Sequence, residues 1–312
     1  MSAVNVTGGV DEGLAWHHGD PMREQRTMEA GGGELALANR PVLRISGPDR
    51  LTWLHSLTSQ HLTELAVGEA TTALVLDPNG RVEHVLHGID DGESFWAWTE
   101  AGRGAELAGW LDRMRFMMRV EVALRGDLEL LWVGRDVARP EAALASRASQ
   151  VAGGTEHLVP RGSSAGAQPV GVWAHEALRI AAGIPRIGVD TDHKTIPNEI
   201  GLLGTHLDKG CYRGQETVAR VHTLGRPPRR LVQLHLDGSM EALPELGAPL
   251  ELDGRPVGFV GSSERHHELG PIALGLVKRN VAVEATLTAG GISANQEALV
   301  DPEVGLHVRP RL

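Results

Sequence analysis

The chain has 312 residues, enough for two or three domains, and carries 40 acidic against 30 basic side chains, a net charge of −10. That balance argues against general binding to a phosphate backbone, and a single cysteine excludes an internal disulfide framework and fits a reducing cytoplasm. The longest apolar runs, such as Thr72 to Leu76, are far too short for a membrane span, and residues 1–19 lack a basic segment followed by an apolar one, so the expected location is the cytoplasm.

Residues 1–34 read as a glycine-rich extension with a short helix over 21–30, where Pro21 stands at a favourable first position. His17 and His18 are adjacent and point apart on any regular element, which makes a poor metal pair. A first domain spans 35–150. Pro41 to Ser46 alternates as a strand, and Leu51, Trp53, Leu54 and Leu57 follow at helical spacing. Residues 70–76 and 81–89 form a hairpin through Asp77-Pro78-Asn79-Gly80, and 94–98 adds a strand. A helix is predicted over 101–118, strands over 119–124 and 127–133, and a further helix over 134–150. The order implies an α+β layer with helices on one face of a largely antiparallel sheet.

A central segment, 151–228, begins with a loop over 152–169 rich in Gly, Ser, Ala and Pro. A helix over 174–182 follows, stopped by Gly183 and Pro185. From 229 to 312 the pattern changes. Residues 231–236 alternate, 250–260 read as a hairpin through Asp253-Gly254, and short strands are predicted over 272–277, 284–287 and 306–309. Such spacing argues for a small β-barrel or β-sandwich.

The chemistry concentrates in Lys209-Gly210-Cys211-Tyr212-Arg213-Gly214-Gln215-Glu216. Two glycines bracket the thiol, which places it on a tight loop feeding a helix. A helix N-terminus and the nearby Lys209 ammonium both favour the nucleophilic thiolate. The alternative is a small buried residue, the usual fate of a free cysteine. Arg226-Pro227-Pro228-Arg229-Arg230 is the best local candidate for holding a small anion; without further context it reads as a solvated linker.

The string resembles the K-G-C-Y-x-G-Q-E signature of the YgfZ-type folate-binding proteins, relatives of the aminomethyltransferase (T-protein) of the glycine cleavage system. The likeness runs from about residue 35 to the C-terminus. Arg179 to Pro185 with Gly188 and Asp190 looks like the T-protein block R-x-x-x-G-x-P-x-x-G-x-E, and Pro197-Asn198-Glu199 looks like its P-x-E block. Arg229 to Val232, Asp253 to Gly258 and Ala273 to Lys278 resemble the T-protein C-terminal barrel. The resemblance implies a T-protein-like α+β fold with a small C-terminal β-barrel and tetrahydrofolate, or a derivative, as cofactor. It also implies iron–sulfur enzymes or their assembly proteins as partners.

Carried over residue by residue, Glu199 is first choice and Asp190 second for the carboxylate that accepts from the pterin N–H and amine. Arg229 or Arg230 is assigned to the glutamate carboxylates of the folate tail. Glu199 also reads as an ordinary acid at a helix start. Glu83 falls where the T-protein has an Asp facing the folate nitrogen, and is one methylene longer; it and His84 also read as outward-facing strand residues. Cys211, absent from the T-protein pattern, has three open roles: nucleophile toward a one-carbon adduct, transient iron ligand, or redox thiol. One thiol does not supply the four that a cluster normally takes, and no histidine spacing suggests zinc, so no metal site is expected. Three functions remain in view: a tetrahydrofolate-binding protein supporting iron–sulfur enzymes through Cys211, a folate-dependent aminomethyl- or methyltransferase, and a non-catalytic adaptor with a folate-shaped cleft.

Overall fold

A computed structural model describes residues 3–308. In chain order the elements are β1 (Val4–Asn5), β2 (Ala15–His17), α1 (Pro21–Glu29), β3 (Glu34–Leu37), β4 (Val42–Ser46), α2 (Arg50–Leu57), β5 (Ala70–Leu76) and β6 (Val82–Asp90). Then come β7 (Ser94–Trp98), α3 (Gly104–Arg113), β8 (Glu121–Leu124), β9 (Leu128–Val133), β10 (Ala145–Ala148), β11 (Thr155–Pro160) and α4 (Val172–Ala181). A 3₁₀ turn (Pro197–Ile200) and α5 (Gln215–Leu224) lead into β12 (Arg229–Leu236), β13 (Pro249–Leu252), β14 (Arg255–His266), β15 (Gly270–Lys278), β16 (Leu287–Ala289) and β17 (Ile292–Ala298). No helix among the described residues is long and apolar enough to cross a membrane.

Two compact units emerge, each drawn from separated stretches. The first takes 1–75, 84–175 and 208–212; the second takes 76–83, 176–207 and 213 onward. The 150 boundary therefore falls inside the first unit, and the start of the barrel at 229 inside the second.

The first unit holds the sheet β5-β6-β7-β4-β8 and the sheet β10-β11-β9-β3. Leu43, Ile45, Leu86, Phe95 and Ala97 from the five-stranded sheet pack against Trp53 and Leu54 of α2 and Leu107 and Leu111 of α3. The helices thus share one apolar layer with the sheet, as the pattern implied. Three expectations fail here. The helix expected over 134–150 is absent: β10 occupies 145–148 and pairs antiparallel with β11, Ala145 opposite Leu158. The alanine-rich run has helical propensity, but pairing partners outweigh it. The loop expected over 152–169 contains β11, which pairs with both β10 and β9 and buries Leu158 and Val159. The helix expected over 101–118 spans only 104–113, and Phe116 beyond it takes φ 44°, which no helix tolerates.

The second unit carries a closed barrel in the order β12-β15-β14-β13-β16-β17. Its core takes Val232, Leu250, Val260, Val277, Leu287 and Ile292, one from each strand. Residues out of phase with these, Leu231, Ile272, Leu274 and Leu276, pack with Ile180 of α4. The β13–β14 turn has φ 51° at Asp253 and 72° at Gly254, the double positive that an Asp-Gly hairpin needs. The strand expected over 284–287 instead covers 287–289, the strand 292–298 went unpredicted, and 306–308 form no strand; Arg309 lies outside the described residues.

Candidate functional site

In the first unit, the Cys211 loop is fastened by its neighbours. Helix α2 ends at Leu57, leaving carbonyls without intrahelical partners. Lys209 serves one of them and the chain just beyond: its Nζ donates to the carbonyl of His55 in the last turn and to those of Thr58 (2.6 Å) and Gln60 (3.2 Å). A cation at this end also suits the helix dipole. The ammonium lies 4.9 Å from the centre of the Tyr212 ring. Burial pushes the Lys209 pKa down to about 8 and that of Tyr212 up to about 12. The three carbonyls work against the Lys209 shift, so the ammonium stays charged at neutral pH. Cys211 itself is exposed and forms no disulfide, unlike the buried alternative. The ammonium expected to acidify the thiol is thus engaged in capping α2.

The two glycines of the string are not equivalent. Gly210 has open space where a Cβ would stand and no positive φ, so its freedom is not used. Gly214 caps α5 at φ 80°, and a Cβ there would lie 2.5 Å from the Asp77 carbonyl and 2.7 Å from Gly80 Cα. Within the second unit this packs the turn of the β5–β6 hairpin directly on the start of α5. Asp77 shapes the turn by accepting from the N–H groups of Asn79 (2.7 Å) and Arg81 (2.8 Å). Beside it, Glu83 accepts from Arg213 at 3.1 Å, both side chains about one-third exposed. His84 is not outward-facing as one reading had it: it is 4 % exposed, and burial pushes its pKa down to about 4.

Of the remaining sequence candidates, Arg229, Glu199 and Asp190 lie in two ionic networks of the second unit. Arg229 forms a fork to Glu199 (2.8 Å to each oxygen) and another to Asp192 (2.8 and 2.9 Å). Glu199 is 1 % exposed and also accepts from the Ile196 N–H, closing the 3₁₀ turn. Burial alone would raise the Asp192 pKa, but the Arg229 fork and the Thr195 hydroxyl outweigh it and hold the carboxyl well below its usual range. Burial would likewise lower Arg229, and the two carboxylates reverse that.

Asp190, fully buried, accepts from Arg179 (2.9 Å), the Arg186 N–H (2.8 Å), the Ser262 N–H (2.7 Å) and the Ser262 hydroxyl. Arg179 and Arg186 both reach Glu176, at 2.9 and 3.1 Å. Arg230 is also fully buried, donating to the Val281 carbonyl (3.0 Å) and Gln296 (2.8 Å). Sequence reasoning missed Asp192, Glu176, Arg186 and Ser262. The first of these was within reach, two residues past the Asp190 that ends the matched block.

These contacts test the fit to a pterin. Asp190 and Arg230 offer no exposed atom, and the four interactions of Asp190 saturate its carboxylate, so neither meets a ligand as positioned. Glu199 would have to share its oxygens with Arg229. Glu83, Arg213, Asp192 and Cys211 are the members with surface to offer.

The architecture is an aminomethyltransferase-like fold. It superposes on the glycine cleavage system aminomethyltransferase T from Bartonella henselae with a TM-score of 0.78, covering 96 % of this chain and 94 % of the other at 18 % identity. Residues 229–299 match the CAF17 C-terminal beta-barrel domain. The tRNA-modifying protein YgfZ of Escherichia coli is 26 % identical over 250 residues, 70 % of this chain and 76 % of that one. The aminomethyltransferase of Chromobacterium violaceum is 25 % identical over 221 residues, 60 % of this chain. The chain spans 61 % of that enzyme's length and 29 % of a chloroplastic relative from Arabidopsis thaliana. The chain is thus similar to YgfZ and to aminomethyltransferases, with a CAF17-type C-terminal barrel.

Proposed function

We propose that this protein binds tetrahydrofolate or a derivative and supports the assembly or repair of iron–sulfur enzymes in the cytoplasm, with Cys211 as its reactive group. The observation that carries the reading is the exposure of Cys211 in a string where Lys209, Tyr212 and Gly214 are tied down. Lys209 caps α2, Tyr212 is buried and Gly214 locks the start of α5, so the thiol is presented while its surroundings are fixed. Kinship with aminomethyltransferases supports folate as the ligand class. The Escherichia coli relative is named for tRNA modification. For a chain of net charge −10, action on a modifying enzyme accommodates that name better than direct grip on RNA.

The test is iron–sulfur enzyme activity in a strain lacking the protein, rescued with wild type or Cys211→Ala. Wild type restores activity and the variant does not; equal rescue removes the basis of the reading. Calorimetry with tetrahydrofolate on the folded chain gives heat, and its absence favours the adaptor. Glu199→Gln binding folate as wild type does would reject Glu199 as the pterin acceptor. The Glu83–Arg213 ion pair gives aminomethyl transfer no support, because it occupies the carboxylate that would face the folate nitrogen.

A further inference from the structure

In the second unit, the C-terminal end of α5 and the adjoining ends of β12 and β15 border an open groove of about 660 Å³. Its charged lining is Arg220, Arg226, Lys278 and Arg279, and no carboxylate lines it; Val221, Leu224 and Pro228 give it apolar surface. Among the described residues only Arg226 of these has an acidic ion-pair partner, Glu303 at 2.8 Å, with both side chains more than half exposed. Lys278 Nζ donates to the Pro256 carbonyl and Arg279 Nη1 to the Arg226 carbonyl, each at 3.0 Å, which leaves their charges uncompensated. Arg220 is exposed and has no hydrogen-bond or ion-pair partner among the described residues. Behind them the buried Arg230 adds a fifth positive charge, hydrogen-bonded to a carbonyl and an amide, with the Glu284 carboxylate near enough to attract it.

Two features separate this groove from an ordinary solvated basic surface. The first is magnitude. The α5 C-terminus brings only about half a negative charge. Five cations less Glu303, Glu284 and that half charge leave roughly two to three positive charges in excess, on a chain whose net charge is −10. The second is strain. Arg226 stands at φ 63°, a region that non-glycine residues occupy at a cost, and is pinned there by its N–H to the Val304 carbonyl (2.9 Å) and its carbonyl to Arg279. The volume is that of a small-molecule site.

We propose that this groove binds a small organic anion with two or more negative charges and an apolar or aromatic body, its charge borne by phosphates or by carboxylates. The inference does not depend on the folate reading, which concerns other residues. The experiment is calorimetry of the full chain at about 50 mM and about 150 mM salt, with ADP in one arm and tri-γ-glutamate in the other. Binding in either arm, weakened at higher salt and at least about tenfold in Arg220→Ala/Arg279→Ala, supports the site, and the binding arm identifies the source of charge. Arg220→Ala alone removes no contact within the fold, so it guards against a double variant that fails to fold, and a loss of about threefold is expected from it. No binding of either probe up to about 1 mM at the lower salt, or binding unchanged in Arg220→Ala, overturns the proposal.

Discussion

Arg229 and Arg230 are neighbours in sequence and leave opposite faces of β12 into opposite surroundings. Arg229 meets two carboxylates, one of them 1 % exposed, so each charge is the other's solvation. Arg230, fully buried, meets a carbonyl and an amide, and burial depresses its pKa. The pair teaches that a basic run says little about anion binding until its counter-charges are known. The guanidinium that looks like a tail clamp is already neutralised, and the uncompensated cations lie on α5 and at the end of β15.

That contrast can be broken. Arg229→Met leaves Glu199 buried without a counter-charge and is expected to lower stability by about 3–5 kcal/mol in urea unfolding. Adding Glu199→Gln should recover much of it; a loss that is simply additive would show that the pair is not coupled.

Glu264 extends the comparison to a carboxyl near another carboxyl: burial, then Glu176, pushes its pKa up to about 8. The folded state then binds a proton that the unfolded chain releases near pH 4.5. Its contribution is complete below that pH and is lost as pH rises through about 8. Because the side chain retains some solvent contact, about 1–2 kcal/mol is expected. Glu264→Gln should therefore lose that much less stability than wild type between pH 5 and pH 9; parallel curves would contradict it.

Arg230→Met is expected to cost the least, about 1 kcal/mol, since relief from burying a charge offsets the hydrogen bonds lost at Val281 and Gln296. A loss as large as that of Arg229→Met would mean that Glu284, which acts on Arg230 without a direct ion pair, serves as a full counter-charge, and would erase the contrast.

Much of this was legible in the residues. The apolar period of 42–57 and the Asp253-Gly254 turn declared the helix-on-sheet layer and a barrel hairpin because local chemistry and final packing agree there. β10 and β11 were hidden because their stability comes from partners distant in sequence, while Ala and Ser over 141–150 speak locally for helix. At the site, the string marked Cys211 and the loop entering α5. What it could not show was that Lys209 serves the end of α2, some 150 residues earlier in the chain, or that Gly214 rather than Gly210 answers a close approach. Those facts depend on where α2 and the hairpin turn come to rest.

Closure of the barrel has one more consequence. Every strand from β12 to β17 has neighbours on both sides, so this half presents no open hydrogen-bonding rim for another polypeptide to extend. Among the described residues, the strands left for association by strand addition are the outer rows of the other unit, β5, β8, β10 and β3, and the two-stranded β1-β2 sheet, where proline or charge placed by mutation would be the natural guard.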